Sequence, residues 1–458
     1  MAIAKMEILG FRGFSNCQTL EMAVPNDTPG SGLTILVGPN NAGKSTVIES
    51  VRAFSQNEPP SFTVGKRNDN NDSKISIRLT NTDGEVKELK TLKAGGSETE
   101  WINKSVSPTS KEIFVIPSRR YFNPFFSKAI YTREQYTSGH QLPAVRGASI
   151  DLFAYRLFQI QNNRNKFDEI LGRVLAPMPN WTIDQADNGQ YYLKFETGEA
   201  NHSSDGIGEG IVSLFFLVDA LYDSKPGDII AIDEPELSLH PALQKKLASL
   251  LLDFSSDRQI LLATHSPYFV DLSAIANGAK ISRVHSKNLN CTISSISGES
   301  ERKLKGLLNN LNNPHIFGLD ARELFFLHDK VILVEGQEDV IFYQLIAKDL
   351  QIPLKGDFFG WGVGGAGNMD TIAKIVFDLG FEKVVGILDK DKEHLIDQLS
   401  TDYPGYQFFC IPANDVRTKK ATAAKEEILG LLDDKRVIRA EFKQDLQVMF
   451  QEVNTLFN

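Results

Sequence analysis

The sequence predicts an α/β chain with two sheet-forming parts in tandem, and three stretches carry that expectation. The apolar run "GLTILVG" enters the glycine-rich "GPNNAGKST" and then a segment of helical spacing. Further on, "DIIAIDEP", "PALQKKLASLLLDF" and "QILLATHSP" alternate strand, helix and strand, as a parallel sheet requires. Finally, "KVILVEGQEDVIFYQLIAKDL" opens a second strand-helix series.

Bulk properties bound the problem. A chain of 458 residues is long enough for two or three cores. Its 41% apolar and 23% charged residues are ordinary for a globular protein, and no apolar run approaches the roughly 18 residues of a membrane helix. The opening "MAIAKMEILGFRGF" lacks the long apolar stretch of a signal peptide. Cys17, Cys291 and Cys410 are odd in number and far apart, which suggests neither a disulfide framework nor a cysteine metal site, so a reducing cytoplasm fits. A net charge of −9 argues against coating nucleic acid by overall positive charge. Two local basic runs stand out, Arg119 and Arg120 in "VIPSRRYF" and Arg417, Lys419, Lys420 and Lys425 in "DVRTKKATAAK". The ordinary fate of such a run is a solvated face.

In chain order, "MEILGFRGF" reads as a first strand and "GLTILVG" as a buried one, with a helix from Ser45. The segment "SQNEPPSFTVGKRNDNNDSK" is a polar surface loop, and "ISIRLTNTDGEVKELKTL" a hairpin turning at Asp83-Gly84, an insertion outside the core architecture. Spacing of Leu, Phe and Ile from Asp151 to Val174 predicts amphipathic helix, and "WTIDQADNGQYYLKF" a second hairpin turning at Asn188-Gly189. Residues from about Ser286 to Asp320 are rich in Asn, Ser and Gly and read as a connection, which places the division near Arg322. The parts are therefore 1–320, with an inserted hairpin and helical lobe at about 55–200, and 321–458, closing on the helical spacing of "RAEFKQDLQVMFQEVNTLF". Neither an internal repeat nor sustained heptads occur.

"GPNNAGKST" satisfies G-x-x-x-x-G-K-[ST] in the strand-to-helix context the motif needs. Gly38, Asn40, Asn41 and Gly43 form its loop, Lys44 can reach the β- and γ-phosphates, Ser45 can ligate Mg²⁺, and Thr46 continues into the helix. In "IIAIDEPELSLHP", Asp233 is placed to hold Mg²⁺ and Glu234 to orient and deprotonate an attacking water. His265, after the strand "ILLAT", would stand beside the γ-phosphate; a satisfied core histidine is the alternative.

With these residues in place, the sequence resembles the ATPases of the ABC and SMC class. In that class two heads sandwich ATP between one P-loop and the other head's signature loop. "SSDGIGEGIVSLFFLV" resembles that signature, with Ser204, Gly206 and Gly208 in place of its serine and glycines, and "SLHP" resembles the dimer-facing loop. Only about 160 residues separate P-loop and signature, without the heptads of SMC arms, so a compact head is implied.

A second constellation follows. "VILVEGQEDVIFYQLI" places Glu335 at a strand end with Asp339 four residues on, which a helical turn would bring to one face. "VVGILDKDKE" ends another strand with Asp389 and Asp391, which extended alternation would point to one side, with Glu393 continuing the row and Lys390 and Lys392 turned away. Clustered carboxylates suit Mg²⁺ or Mn²⁺. "GVGGAG", from Gly362 to Gly367, also fits G-x-G-x-x-G with Asp389 about 20 residues later, but a dinucleotide reading leaves Glu335, Asp339 and Asp391 unexplained.

The pairing of strand-end glutamate and D-x-D resembles the TOPRIM domain, from about Asp329 to Asp415, and the whole order resembles the OLD (overcoming lysogenisation defect) family. That resemblance implies an ATPase head followed by a metal-dependent nuclease, with Glu335, Asp339, Asp389 and Asp391 holding the metals of phosphodiester cleavage. It also implies a basic residue near the scissile phosphate, for which Lys419 and Lys420 are the candidates. Further implications are a DNA substrate, bacterial antiphage defence, and a homodimer or tetramer, sometimes with a partner protein or a reverse-transcriptase RNA. The alternatives are an ATPase sensor whose TOPRIM fold only binds, or a repair or RNA-cleaving nuclease using the same acids.

Overall fold

The structure is a computed structural model that describes residues 2–458 except 56–57, 64, 69–73, 104–111, 119, 121–124, 139–152, 198–199, 204–207, 289, 308–314, 316–317, 327–328 and 420–426. The chain divides into two compact units, Met1–Ile293 and Ser294–Asn458.

The core of the first unit is a six-stranded sheet. Its strands are β3 (Leu33–Val37), β7 (Ile113–Ile116), β11 (Ile229–Asp233), β12 (Gln259–Ala263), β13 (Lys280–Lys287) and β14 (Asn290–Ser295), in the order β14-β13-β3-β12-β11-β7. The strands from β13 to β7 run parallel. Every residue of β3, β11 and β12 is buried, the continuous apolar pattern of strands covered on both faces. A five-stranded antiparallel sheet joins it, built from β1 (Ile3–Leu9), β2 (Gln18–Glu21), β4 (Ser76–Asn81), β5 (Val86–Thr91) and β6 (Thr99–Ile102), in the order β2-β1-β4-β5-β6. The Asp83-Gly84 hairpin is thus inserted in the chain but not peripheral in space. Its Ile77, Leu79 and Leu89 share a core with Leu36 of β3 and with Val47 and Ile48 of α1 (Lys44–Arg52). The buried amide of Gln259 fastens the two sheets, accepting the Ile3 N–H at 2.7 Å and donating to the carbonyls of Ile3 and Ala23 at 2.8 Å each.

A lobe follows. The predicted helix from Asp151 to Val174 is two helices, α3 (Phe153–Gln161) and α4 (Arg164–Val174), because Asn162 and Asn163 close the first with turn hydrogen bonds to Gln159 and Ile160. The hairpin at Asn188-Gly189 forms between β8 (Asn180–Gln185) and β9 (Tyr191–Thr197), and β10 (Ala200–Ser203) adds to β9. Arg133 of α2 (Arg133–Ser138) and Arg156 of α3 reach the long α5 (Glu209–Asp223), where Asp219 and Asp223 lie one turn apart. Arg133 pairs with Asp219 at 2.8 Å and with Asp223 at 2.9 Å, while Arg156 pairs with Asp219 at 2.9 Å and also with Asp223. The formal charges of the quartet cancel, which is the condition under which buried ions are tolerated. Helix α6 (Pro241–Phe254) matches the predicted segment, capped by His240, whose Nδ1 accepts the Ala242 N–H.

The second unit holds a four-stranded parallel sheet, β16-β15-β17-β18, from β15 (Lys330–Val334), β16 (Asp357–Phe358), β17 (Lys383–Leu388) and β18 (Gln407–Cys410). The stretch expected to be a polar connection contains strand and helix instead: the end of β13, β14, and α7 (Gly298–Leu307). Helix α7 lies within the second unit because its cap is bound to α9 (Met369–Asp378). The Asp378 carboxylate accepts the Ser297 N–H at 2.9 Å and the Ser300 hydroxyl at 2.6 Å, and Lys303 pairs with Asp370 at 2.7 Å. The division therefore falls upstream of Arg322. Helices α8 (Gln337–Asp349) and α10 (Lys443–Leu456) share a core with β15 and β17 through Tyr343, Ile346, Phe450 and Val453.

Removing one member of the arginine-aspartate quartet leaves buried guanidinium charge uncompensated. Asp219→Ala is therefore expected to cost about 3 kcal/mol or more of the first unit's stability, read as a lowered urea midpoint. A loss below about 0.5 kcal/mol would show that the quartet holds α5 no more firmly than surface pairs do.

Candidate functional sites

In the first unit the predicted loop lies between β3 and α1. Gly38 has φ 127° and a Cβ there would stand 2.1 Å from the carbonyl of Val284, so glycine is required by close backbone approach. Lys44 is buried and folded over its own loop, donating to the carbonyls of Gly38 at 2.8 Å and Pro39 at 3.0 Å. Burial pulls its pKa down to about 8, against the pull of Asp233, Glu234 and Glu236. Asn40, Asn41, Gly43, Ser45 and Thr46 belong to this loop and the first turn of α1, with Asn41 at φ 60° and Gly43 at φ 110°.

The acids sit where the sheet delivers them. Asp233 ends β11 in register with Ala263 of β12, and Glu234 follows with φ 51°, a left-handed conformation that costs a non-glycine residue on the order of 1 kcal/mol. Its N–H donates to the Ala263 carbonyl at 2.7 Å. His265 stands close enough to Lys44 to feel its charge; burial first, and then that charge, lower its pKa to about 4. The ring is neutral at physiological pH and able to donate or accept one hydrogen bond.

Two residues that sequence reasoning passed over tie this site together. Glu236 accepts from the Thr264 hydroxyl at 2.8 Å and from the His265 N–H at 2.5 Å, joining the loop after β11 to the segment after β12. Arg120, one of a pair that the sequence offered as a local basic patch or, more ordinarily, a solvated face, is buried. Its guanidinium donates to the carbonyls of Pro117 (3.1 Å), Asp233 (2.9 Å) and Glu234 (2.7 Å) and to the Ser213 hydroxyl (2.7 Å). The only sequence signal was its position just past an apolar strand. Arg119 lies outside the described residues, as do Ser204 and Gly206; Gly208 immediately precedes α5. The "SLHP" loop packs on that helix, with Ser238 donating to Glu209 at 3.3 Å and its carbonyl 2.3 Å from where a Cβ on Gly210 would lie.

In the second unit, carboxylates gather at the ends of adjacent parallel strands. Glu335 follows β15 and accepts the backbone N–H of Asp389, just past β17, at 3.0 Å. Asp339 is buried in the first turn of α8, capping it through the Gly336 N–H at 2.9 Å. Glu335 itself precedes that helix, so the Gly336 turn, not an i, i+4 helical face, brings the two acids together. Burial first and then Glu335, Asp339, Asp415 and Asp391 push Asp389 up to about 8, and burial with Glu335, Asp415 and Glu338 pushes Asp339 up to about 6. Asp415 is the acid the sequence reading missed. It is buried, accepts the Arg417 N–H at 3.2 Å and pairs with Lys419. Its signal was a third apolar run, "QFFC", followed by an acid.

The D-x-D segment is not extended. Lys390–Leu395 form a 3₁₀ helix, so alternation does not govern it, and Lys392 pairs with Asp391 instead of turning away. Asp391 and Glu393 are exposed. Among the described residues, no three His, Cys, Asp or Glu side chains stand close enough to hold an ion as they are. Arg417 pairs with Glu338 at 2.7 Å; Lys420 and Lys425 lie outside the described residues. The "GVGGAG" stretch is a turn packed on the acidic strand end. Gly362 has φ 85° and a Cβ there would meet the Gly336 backbone at 2.7 Å, and Gly365 donates to the Glu335 carbonyl at 2.8 Å. Gly362 is accounted for by this packing and Gly364 and Gly365 by their positive φ, whereas a Cβ on Gly367 would meet nothing.

Comparison with known proteins gives matching descriptions. Residues 1–142 match an AAA ATPase domain, residues 146–271 an AAA domain described as putative AbiEii toxin of a type IV toxin-antitoxin system, and residues 326–391 the TOPRIM domain of overcoming lysogenization defect protein-like chains. The chain therefore carries an AAA ATPase domain followed by an OLD-like TOPRIM domain, in the order its motifs imply. A curated relative, endonuclease GajA of Bacillus cereus (strain VD045), is 24% identical over 245 residues, 52% of this chain; the chain spans only 36% of that relative. Solved structures that overlap it include the SMC head domain from Thermotoga maritima (TM-score 0.38, 15% identity, 65% of this chain and 100% of that one). An SMC head from Pyrococcus furiosus bound to the C-terminal domain of ScpA gives a TM-score of 0.41 at 13% identity, over 68% of this chain and 100% of that one. No helix among the described residues is long and apolar enough to cross a membrane.

The raised carboxyls have a thermodynamic sign. Asp389 holds its proton more tightly folded, at about 8, than at the ordinary value of 3.8. The stability this contributes is complete below about pH 4 and is lost as pH rises through about 8. In a chelating buffer the wild-type Tm should therefore fall between about pH 5 and about pH 8 more steeply than that of Asp389→Asn, which lacks this titration. Parallel curves would contradict the repulsive cluster.

Proposed function

We propose that the protein is an ATP-binding and ATP-hydrolysing, metal-dependent endonuclease of the OLD type acting on DNA, in the setting of bacterial antiphage defence. The single observation that carries the nuclease reading is the pairing of Glu335 and Asp389 just past adjacent parallel strands, with Asp339 in the first turn of α8 and Asp415 beyond β18 near enough to act on Asp389, which with burial is pushed up to about 8. An uncompensated group of hard oxygen donors is what a divalent cation relieves. The donor types suit Mg²⁺ or Mn²⁺, although among the described residues no three of them stand close enough to hold an ion as they are. In this reading Glu335, Asp339 and Asp389 would draw in to hold it, with the exposed Asp391 and Glu393 within the same segment. Once bound, such ions supply an activated water and stabilise the leaving oxygen of a phosphodiester.

The chain's own residues do the rest. Glu335 fixes the start of the D-x-D segment by accepting the Asp389 N–H, and Asp339 fixes the helix start that carries it. Lys419, half-exposed and paired with Asp415, supplies a cationic edge suited to a phosphate, and Lys420 adjoins it in sequence. In the first unit, Lys44 is held over the loop that would receive phosphate, ready to exchange two carbonyl partners for phosphate oxygens. In this reading Ser45 and Asp233 would share a Mg²⁺, Glu234 would orient water, and neutral His265 would meet the terminal phosphate. A trans contribution from Ser204, Gly206 and Gly208, and hence a homo-oligomer, completes this reading.

The test is cleavage of plasmid DNA and of RNA with Mg²⁺ or Mn²⁺, with and without ATP. Asp389→Ala should abolish metal-dependent cutting of DNA, and Lys44→Ala should lower ATP turnover by at least about a hundredfold. Cutting by Asp389→Ala at the wild-type rate would remove the site assignment. ATP turnover without any metal-dependent cutting would favour a sensor whose second domain only binds.

A further inference from the structure

We propose that Arg120 is a positioning residue that couples helix α5 to the orientation of Glu234. The proposal rests on the ATPase reading of this site and adds to it a residue that no sequence motif marks.

The geometry points to coupling because one rigid, buried group engages two elements at once, α5 with one arm and the end of β11 with the other two. Nε donates to Ser213 in the second turn of α5, Nη1 to the carbonyl of Asp233, and Nη2 to that of Glu234. A planar guanidinium cannot follow a moving partner with one arm while leaving the others in place. Glu234 is where such a constraint matters. Its backbone is held left-handed, fixed on one side by its N–H to Ala263 and on the other by its carbonyl to Arg120. Such a conformation persists only where the surroundings over-determine it, and the side-chain direction follows from it. Two further contacts make α5 and this loop move together: Ser238 with Glu209, and the close approach of the Ser238 carbonyl to Gly210. A displacement of α5 would therefore reach Glu234 through Arg120.

The experiment compares the full chain carrying Ser213→Ala or Arg120→Ala with wild type, measuring steady-state ATP turnover and amide exchange of segments 209–216 and 232–240. Ser213→Ala removes only the α5 arm. It should lower kcat about tenfold with KM within about twofold, and should raise exchange in both segments. Arg120→Ala should do the same more strongly. A purely structural serine would loosen α5 and leave 232–240 unmoved; that result, or a kcat within about twofold of wild type, overturns the proposal. If Arg120→Ala does not fold, Ser213→Ala decides alone. If wild type hydrolyses no ATP, the ATPase reading falls separately, and the exchange comparison still decides the coupling.

Discussion

Repulsion among carboxylates gathered at the ends of parallel strands is the constraint on which the second unit turns. Parallel pairing of β15, β17 and β18 brings three chain segments out at one edge, and each carries an acid there: Glu335, Asp389 and Asp415. At an effective dielectric near 20, two carboxylates about 5 Å apart repel by about 3 kcal/mol. The half-exposed Lys419 beside Asp415 returns at most about 1 kcal/mol. Burial first, and then the neighbouring carboxylates Glu335, Asp339, Asp415 and Asp391, push Asp389 up to about 8, so that it retains its proton near neutral pH. Open α/β sheets place ligands beyond the carboxyl ends of their strands, and the proposed ion site would lie at such an edge.

The first unit meets the same problem differently. Asp233, Glu234 and Glu236 also follow a parallel strand, yet they share their surroundings with buried Lys44 and Arg120. Burial pulls Arg120 down to about 10, still cationic at neutral pH. Glu236 is further satisfied by Thr264 and the His265 N–H. One edge is thus internally compensated and shaped around a phosphate loop, while at the other the described lysines pair with Asp391 and Asp415 and none pairs with Asp389. That contrast matches the two chemistries proposed for the chain.

The strands and helices that carry strong periodicity were legible in the sequence. β3, β11, β12, α6, both hairpin turns and the strand ends at Glu335 and Asp389 follow from apolar runs and turn residues. What escaped was set by tertiary packing. The Asp83-Gly84 hairpin looks like surface ornament until β1 pairs with β4 and buries Ile77 and Leu79. Arg120 is indistinguishable from a solvated cation until its hydrogen bonds are seen, because burial of a charge depends on carbonyls distant in the chain. Asp415 is signalled only by the apolar run "QFFC" that ends five residues before it, and the 3₁₀ path of Lys390–Leu395 overrides the alternation expected of a strand end. Extended periodicity stops where the strand stops, and the acids of interest lie just beyond that point.

The acidic edge of the second unit is proposed to bind a divalent cation. Calorimetric titration of the full chain with Mn²⁺ at neutral pH, in two buffers of unequal ionisation enthalpy, tests it most directly. The account predicts saturable binding with net proton release, since the ion displaces the proton that Asp389 retains, and Asp389→Asn should lose both the affinity and the release. Binding without proton release and indifferent to Asp389, or no saturable binding by the folded chain, would contradict it.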